Sequence, residues 1–187
     1  MRRVVVTGVG GVTPLGVGME RSWKALCAGE SGIGPLSRFD VSAYKCHVAG
    51  EVKDFNPDDF MDKKLAKRLD RFAQFGLTAA RMALEDSRLN ISPVNEDRVG
   101  VVMGTAVGSA YFFERAHELV MAGNPGQVSS FFLVNASANV VSGIVAQQLR
   151  ARGVNHFLQE ACATGTNVIG MGVHLIRLGL ADAIIAG

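Results

Sequence analysis

The chain has 187 residues, is 48% hydrophobic and carries a formal net charge of +2 at pH 7. This length allows one domain with a buried core, and the small net charge gives no reason to expect a nucleic-acid partner. No apolar run reaches the length of about 18 residues that a membrane span requires, so no membrane association is expected.

The N-terminal residues predict a strand followed by a tight loop. Residues 3–7 are rich in β-branched side chains and predict the first strand of a buried parallel sheet, and their apolar run is too short for a secretory signal. Residues 8–16 open like the dinucleotide-binding pattern G-x-G-x-x-G, but Thr13 replaces the third glycine and Pro14 interrupts the expected helix. We therefore expect no organic cofactor and a cytoplasmic protein.

The remaining elements alternate between helices and strands. A helix over residues 20–28 is predicted to bury Trp23, Leu26 and Cys27 on one face. Further helices are predicted over residues 65–87, 112–121 and 137–149, and strands over residues 98–103, 154–158 and 181–186. This alternation predicts an α/β architecture with a largely parallel sheet.

A basic cluster opens the helix over residues 65–87. Its members are Lys63, Lys64, Lys67, Arg68 and Arg71. Two interpretations stay open: a solvated helix face, or a docking surface for an acidic carrier protein.

Cys162 lies between the strand over residues 154–158 and a long helix that is apolar on nearly every side, which predicts a helix inside a core. The free N–H groups and the dipole of a helix start favour a thiolate over a thiol. Small neighbours, Ala161, Ala163 and Gly165, leave room for a reactant. We interpret Cys162 as a nucleophile, although a lone cysteine in an apolar setting is often inert packing. The three cysteines have no metal-ligand spacing, so no metal is expected.

No histidine is a local partner for this cysteine. His174 lies about 18 Å away along the predicted helix, and His156 lies about 20 Å away along the predicted strand. His47 and His117 lie far away in the sequence and reach Cys162 only if tertiary folding brings them there. A nucleophilic cysteine generally needs a base or cation nearby, so the site is incomplete on local evidence.

Several stretches together resemble the β-ketoacyl-acyl-carrier-protein synthases, and the elongating synthase II type most closely. They are VVVTGVG (residues 4–10), SWKAL (22–26), AGESGI (28–33), RLDRFAQF (68–75), EDS (85–87), SFF (130–132), ACATGT (161–166) and ADAIIAG (181–187). The resemblance covers essentially the whole chain, and its motifs occur in the family's order.

The resemblance implies a thiolase-like fold of two similar α/β halves in a homodimer. Each half has a mixed, mostly parallel five-stranded sheet flanked by helices. Residues 1–187 would be the N-terminal ketoacyl-synthase half-domain, and the C-terminal half would be absent from this chain. The chain would then associate with a second copy or with a C-terminal half.

The resemblance also implies chain elongation in fatty-acid or polyketide synthesis by a decarboxylative Claisen condensation. Cys162 would accept the acyl chain from an acyl-carrier protein, and malonyl-carrier protein would then be decarboxylated to supply the attacking carbanion. Val107 and Phe132 fall where the family lines its acyl pocket, with simple core packing as the alternative.

The sequence departs from the family in ways that limit this prediction. The family's two catalytic histidines and its lysine lie in the second half, so this chain alone is not expected to run the full condensation. Glu160 stands where the family has Thr or Ser, and strand alternation would place its charge on the same side as Cys162. Val134 and Val154 replace prolines.

Two other functions stay open. The chain could be a non-catalytic half-domain, comparable to a chain-length factor, that binds an acyl carrier or another synthase; such factors typically lack the cysteine. A thiolase proper shares fold and nucleophile but fits the Ala-Cys-Ala-Thr-Gly context less well.

Overall fold

A computed structural model describes residues 2–187. Its α-helices are α1 (Met19–Cys27), α2 (Lys63–Ala66), α3 (Arg71–Ser87), α4 (Ala110–Met121), α5 (Phe132–Ala136), α6 (Val140–Leu149) and α7 (Thr164–Arg177). Its strands are β1 (Val12–Thr13), β2 (Gly16–Val17), β3 (Gly34–Pro35), β4 (Val48–Ala49), β5 (Val99–Gly104), β6 (Asn155–Leu158) and β7 (Ala183–Ala186). Among these helices, none is both long and apolar enough to cross a membrane.

The centre of the molecule is a parallel sheet with the strand order β6-β5-β7. The central strand β5 is apolar and buried along nearly its whole length, as expected for a parallel strand covered on both faces. One face packs against α3 and α6, where Leu77 and Val145 are fully buried. The other face packs against α7, where Val102 of β5 meets Val168. The predicted α/β architecture with a parallel sheet is confirmed.

The expected five-stranded mixed sheet is corrected to three strands, all of them parallel. The two antiparallel pairs, β1–β2 and β3–β4, have two residues per strand and lie outside this sheet. The strand predicted over residues 3–7 is also wrong, because this segment forms no ladder within the described chain. Val5 and Val6 are 57% and 79% exposed. β-Branched residues favour strands, but a strand also requires a neighbouring backbone, which local sequence does not specify.

The N-terminal segment instead runs along α3. The backbone N–H of Val9 donates to the carboxylate of Asp86 at 2.9 Å. A Cβ added at Gly10 would lie 2.1 Å from the carbonyl oxygen of Ala79, and one at Gly8 would lie 2.2 Å from that of Ala83. These glycines are therefore explained by close backbone packing against a helix.

Two helix predictions need correction. The helix predicted over residues 65–87 is broken between α2 and α3, because the Asp70 side chain accepts the first N–H of α3, that of Arg71, at 2.6 Å. The apolar face predicted for α1 is not buried, since Trp23 and Leu26 are 63% and 57% exposed, and Cys27 is exposed as well.

Polar contacts, which hydrophobic spacing does not reveal, set the orientation of α1. Its inner face carries Ser22. The Ser22 hydroxyl donates to the carbonyl of Gly16 at 3.1 Å and lies 2.9 Å from the Thr13 hydroxyl.

Only one side of α7 is covered, although its sequence is apolar nearly all round. The buried residues are Thr164, Val168, Gly172 and Leu175, which recur at helical spacing. Ile169 in α7 and Leu178, directly after it, are 57% and 74% exposed. The prediction of a helix enclosed in a core is therefore wrong for the outer side of α7, where Ile169 lies exposed together with polar and charged residues such as Asn167 and Arg177.

Candidate active site

Cys162 lies in a tight turn between β6 and α7. β6 ends at Leu158, a single 3-10 turn spans Ala161–Ala163, and α7 begins at Thr164. The Cys162 side chain is exposed. The turn stands at the carboxyl end of the parallel strands, the edge at which open α/β sheets usually bind ligands. The predicted strand-to-helix position of Cys162 is confirmed.

The residue before the cysteine has an uncommon backbone conformation. Ala161 has φ +49°, in the left-handed region that costs a residue with a Cβ roughly 1–2 kcal/mol. Its carbonyl accepts two hydrogen bonds from Thr164, one from the backbone N–H and one from the hydroxyl at 2.8 Å. The Thr164 oxygen also accepts the N–H of Glu160 at 2.8 Å. The turn is therefore closed by the first residue of α7.

Glu160 does not occupy the place that strand alternation predicts for it. β6 has ended two residues earlier, so alternation does not extend to Glu160 and Cys162. The Glu160 carboxylate instead accepts a hydrogen bond from the side-chain amide of Asn167, one turn into α7. This contact ties the carboxylate to α7, the helix that begins two residues after Cys162.

Val107 lies on the loop beside the cysteine turn. The Gln159 side-chain amide donates to the carbonyls of Ala106 and Val107, at 3.3 Å each. The side chain of Val107 is 72% exposed. Core packing, the alternative interpretation of Val107, is therefore wrong for this structure, and its backbone contacts the segment that leads to Cys162.

Phe132 lines a different region. It begins α5, is half-buried, and its ring meets the ring of Phe113 edge to face, with centroids 5.4 Å apart. It borders a cavity of about 550 Å³ between the start of α3, the helix α4 and residues 127–132. Among the described residues that line this cavity, neither Cys162 nor Val107 occurs. The structure thus brings Val107 next to the cysteine turn but does not join Phe132 to it.

The basic cluster divides into two parts. Arg71 donates to the carbonyl of Val52, and its guanidinium lies 4.8 Å from the ring centroid of Phe75. Burial, with the neighbouring charge of Arg38, lowers the pKa of Arg71 from its ordinary value. Arg68 stacks over the ring of Phe131 at 4.7 Å. Arg71 is therefore half-buried, so a solvated face is wrong for it, whereas Arg68 remains exposed.

The three lysines of the cluster remain at the surface. Lys63, Lys64 and Lys67 are exposed, and Lys63 is 3.7 Å from the carboxylate of Asp58. Within residues 2–187, no group of three or more His, Cys, Asp and Glu side chains is arranged to hold a metal ion.

The sequence did not predict a role at the site for three residues in or beside the cysteine turn: Gln159, Thr164 and Asn167. The pattern did contain one indication, since a threonine two positions after the cysteine, at a helix start, can bond to preceding backbone groups. The contacts of Gln159 and Asn167 depend on tertiary geometry and on side-chain rotamers, which spacing alone does not reveal.

Comparisons with known proteins show the family to which the chain belongs. A family model described as "Beta-ketoacyl synthase, N-terminal domain" matches residues 1–187. The sequence is 41% identical over 186 residues to the 3-oxoacyl-[acyl-carrier-protein] synthase 2 of Synechocystis sp. and, equally, to that of Staphylococcus aureus (strain COL). Each alignment covers 100% of this chain and 45% of the relative, so the chain spans less than half the length of these proteins.

Solved structures of ketosynthases share the fold of this chain. The ishigamide ketosynthase/chain length factor superposes with a TM-score of 0.87 and 31% identity, over 96% of this chain and 45% of that chain. The fold alone is shared with AntDE:AntF, a ketosynthase in complex with its acyl-carrier protein, at a TM-score of 0.80 and 19% identity, over 100% of this chain and 50% of that chain. From the family match and these relatives, the chain belongs to the β-ketoacyl synthases and corresponds to their N-terminal domain.

Proposed function

We propose that this chain supplies the acyl-accepting cysteine for elongation of a fatty-acid or polyketide chain. The observation that carries the proposal is the exposed Cys162 in a turn at the carboxyl edge of the parallel sheet, directly before α7. The 41% identity to 3-oxoacyl-[acyl-carrier-protein] synthases supports this reaction class.

In the first step, the Cys162 thiolate attacks the carbonyl carbon of an acyl thioester and forms a carbon–sulfur bond. The tetrahedral oxyanion then collapses and expels the donor's thiolate, so the acyl group moves between two sulfurs without any redox change. The backbone N–H of Cys162 would help hold the oxyanion.

In the second step, malonyl-carrier protein loses CO₂, and the resulting carbanion attacks the Cys162 thioester. A carbon–carbon bond forms and the cysteine thiolate leaves. The histidines and the lysine that the resemblance assigns to decarboxylation have no counterpart by motif in residues 1–187. We therefore expect acyl transfer, but not the full condensation, from this chain by itself.

We propose an acyl-carrier protein as the acyl donor. Lys63, Lys64 and Lys67 are exposed in and directly after α2, and their charges would attract an acidic carrier. Transfer from the carrier should then slow as salt is raised, whereas transfer from a small neutral thioester should not. Val107 and Phe132 are proposed as acyl-contacting residues on the strength of the resemblance.

A second candidate is a non-catalytic partner of another synthase. It is favoured by the similarity to a ketosynthase/chain length factor at a TM-score of 0.87. The presence of Cys162 argues against this candidate, because a non-catalytic partner does not need a nucleophile at this turn. Reactivity of the cysteine separates the two candidates.

The experiment compares the three cysteines within one protein. Cys27, Cys46 and Cys162 are all exposed, so accessibility alone does not favour one of them. If Cys162 is an activated nucleophile, iodoacetamide at pH 7 should alkylate it roughly ten-fold faster than the other two. Equal rates at all three positions would contradict the proposal.

A further inference from the structure

We infer that Thr164 is a positioning residue that holds the backbone around Cys162 in the shape required for acyl transfer. The inference rests on the proposed function, because it takes Cys162 to be the acyl-accepting nucleophile. Thr164 acts through Ala161 and Glu160 and makes no contact with the substrate in this account. Three independent features of the structure support this role.

The first feature is the direction of the Thr164 hydroxyl. It donates to the carbonyl of Ala161 and accepts the N–H of Glu160, both at 2.8 Å, so it points back into the turn. It is not the N-terminal cap of α7, because Ala163 occupies the cap position and no side chain accepts a hydrogen bond there. The hydroxyl therefore shapes the turn that precedes the helix.

The second feature is the packing of the Thr164 methyl group against the central sheet. Thr164 is 5% exposed, and a Cβ added at Gly104 would lie 2.2 Å from this methyl. Gly104 is the last residue of β5, the central strand. The methyl is thus fixed against the sheet, and this leaves the hydroxyl a single direction, toward the turn.

The third feature is the left-handed backbone of Ala161, at φ +49°. A residue with a Cβ keeps such a conformation only when its surroundings hold it there. Here the Ala161 carbonyl accepts the Thr164 backbone N–H and the Thr164 hydroxyl, and the Ala163 N–H donates to the Glu160 carbonyl at 3.0 Å. The hydroxyl is the side-chain contribution to this restraint. Because Ala161 directly precedes Cys162, this conformation determines where the Cys162 N–H and sulfur point.

Two substitutions separate the hydroxyl from the methyl. Thr164→Val keeps the branched shape against Gly104 but removes both hydroxyl hydrogen bonds. Thr164→Ser keeps the hydroxyl and removes the methyl. If the hydroxyl positions the turn, Thr164→Val should slow acylation of Cys162. Thr164→Ser should keep the wild-type behaviour, although it packs less well against Gly104.

The first measurement compares two reactions of Cys162 in the wild type and both variants. Acylation by a hexanoyl thioester of N-acetylcysteamine requires the oxyanion to meet the Cys162 N–H, whereas alkylation by iodoacetamide does not. Thr164→Val should lower acylation about five-fold relative to alkylation, the factor for one typical hydrogen bond. Thr164→Ser should keep the wild-type ratio, and alkylation of Cys27 and Cys46 should be unchanged throughout.

The second measurement does not depend on any acylation. Amide hydrogen exchange in a peptide covering residues 159–166 should be faster in Thr164→Val than in the wild type and Thr164→Ser, because the Glu160 N–H loses its acceptor. Unchanged exchange and an unchanged ratio in Thr164→Val would overturn the inference, as would an equal loss in Thr164→Ser. A failure of the proposed function would be recognised by a different result, namely equal alkylation rates at the three cysteines of the wild type.

Discussion

At the scale of single residues, Ala161 and Ala163 flank Cys162 but have different backbone conformations. Ala161 lies in the left-handed region at φ +49°, and Ala163 lies in the ordinary helical region at φ −80°. Glycine adopts the left-handed region without a steric penalty, whereas elsewhere it mainly adds flexibility to the unfolded chain. The two alanines therefore form a matched pair for testing this geometry.

Ala161→Gly should raise the free energy of unfolding by up to about 1 kcal/mol, because it removes the Cβ contact in the left-handed region. Ala163→Gly is the control and should give no such gain, because Ala163 already lies in the ordinary helical region, where removing the Cβ relieves no steric contact. Urea unfolding of both variants measures the difference. An equal loss of stability in both would contradict the conformation assigned to Ala161.

Glu160 is the charged residue nearest in sequence to the sulfur. Glu160→Gln keeps an acceptor for the Asn167 amide and removes the negative charge, whereas Glu160→Thr restores the type of residue that the family uses. Both should speed acylation of Cys162 by an acyl thioester, by about three-fold for one unit charge near the surface at low salt. The gain should shrink at high salt. Rates that match the wild type in both variants would show that the Glu160 charge does not affect acylation of Cys162.

The contacts within the turn explain why sequence reasoning singled out Cys162 but not the residues that hold its backbone. Cys162 stood out because it lies among small residues between a predicted strand and a predicted helix. Thr164 is buried against Gly104, and Gly104 lies 60 residues away in the chain. Such a pairing is created by the parallel register of β5 and β6, which local patterns do not specify.

At the scale of elements, β5 and β7 are joined at one end by an ion pair. Arg98, directly before β5, donates to Asp182, directly before β7, through two nitrogens at 2.9 and 3.0 Å. Arg2 adds a third bond to the same carboxylate at 2.9 Å. The hydrogen bond from Arg98, with its charge and that of Arg2, lowers the pKa of Asp182 from its ordinary value of 3.8 to about 2.

The depressed pKa predicts how stability changes with pH. The folded state prefers the ionised carboxylate, so the ion pair stabilises it above about pH 4 and is lost as the pH falls toward 2. Asp182→Asn should lower the thermal midpoint at pH 7, and the difference from the wild type should vanish at pH 2. Asp97→Asn, on the neighbouring surface, is the control. A constant difference between pH 7 and pH 2 would contradict the assignment.

The buried elements were predictable, and the peripheral ones were not. The apolar residues of β5 and α3 follow strand and helix patterns clearly enough for each segment to be assigned from sequence. The segment over residues 3–7 also looked like a strand, but an isolated run cannot form a ladder. The amphipathic α1 was placed correctly, yet its apolar residues face outward because Ser22 bonds to Gly16 on the inner side.

At the scale of the whole molecule, a large apolar surface is uncovered. Exposed hydrophobic residues crowd α4, α5 and the residues just before α5; they are Tyr111, Phe113, Val120, Met121, Phe131, Leu133 and Val134. Exposed apolar patches of this kind usually mark a surface that another protein covers. We expect the chain to self-associate through this surface.

Leu133→Glu tests this expectation, because Leu133 is 77% exposed within the patch. The wild type should elute from a sizing column above its monomer mass of 19.8 kDa, and Leu133→Glu should shift it toward that mass. Val94→Glu is the control, since Val94 is 95% exposed but lies outside α4 and α5. A monomeric wild type would contradict the expectation.

The proposed function requires that Cys162 accept an acyl group from a carrier protein. The most direct measurement incubates the chain with hexanoyl-acyl-carrier protein and follows the mass of the peptide that contains residue 162. We expect a hexanoyl adduct on this peptide in the wild type, its loss in Cys162→Ala, and slower transfer at high salt. A wild-type chain that gains no adduct, or an equal adduct in Cys162→Ala, would contradict the proposed role of Cys162.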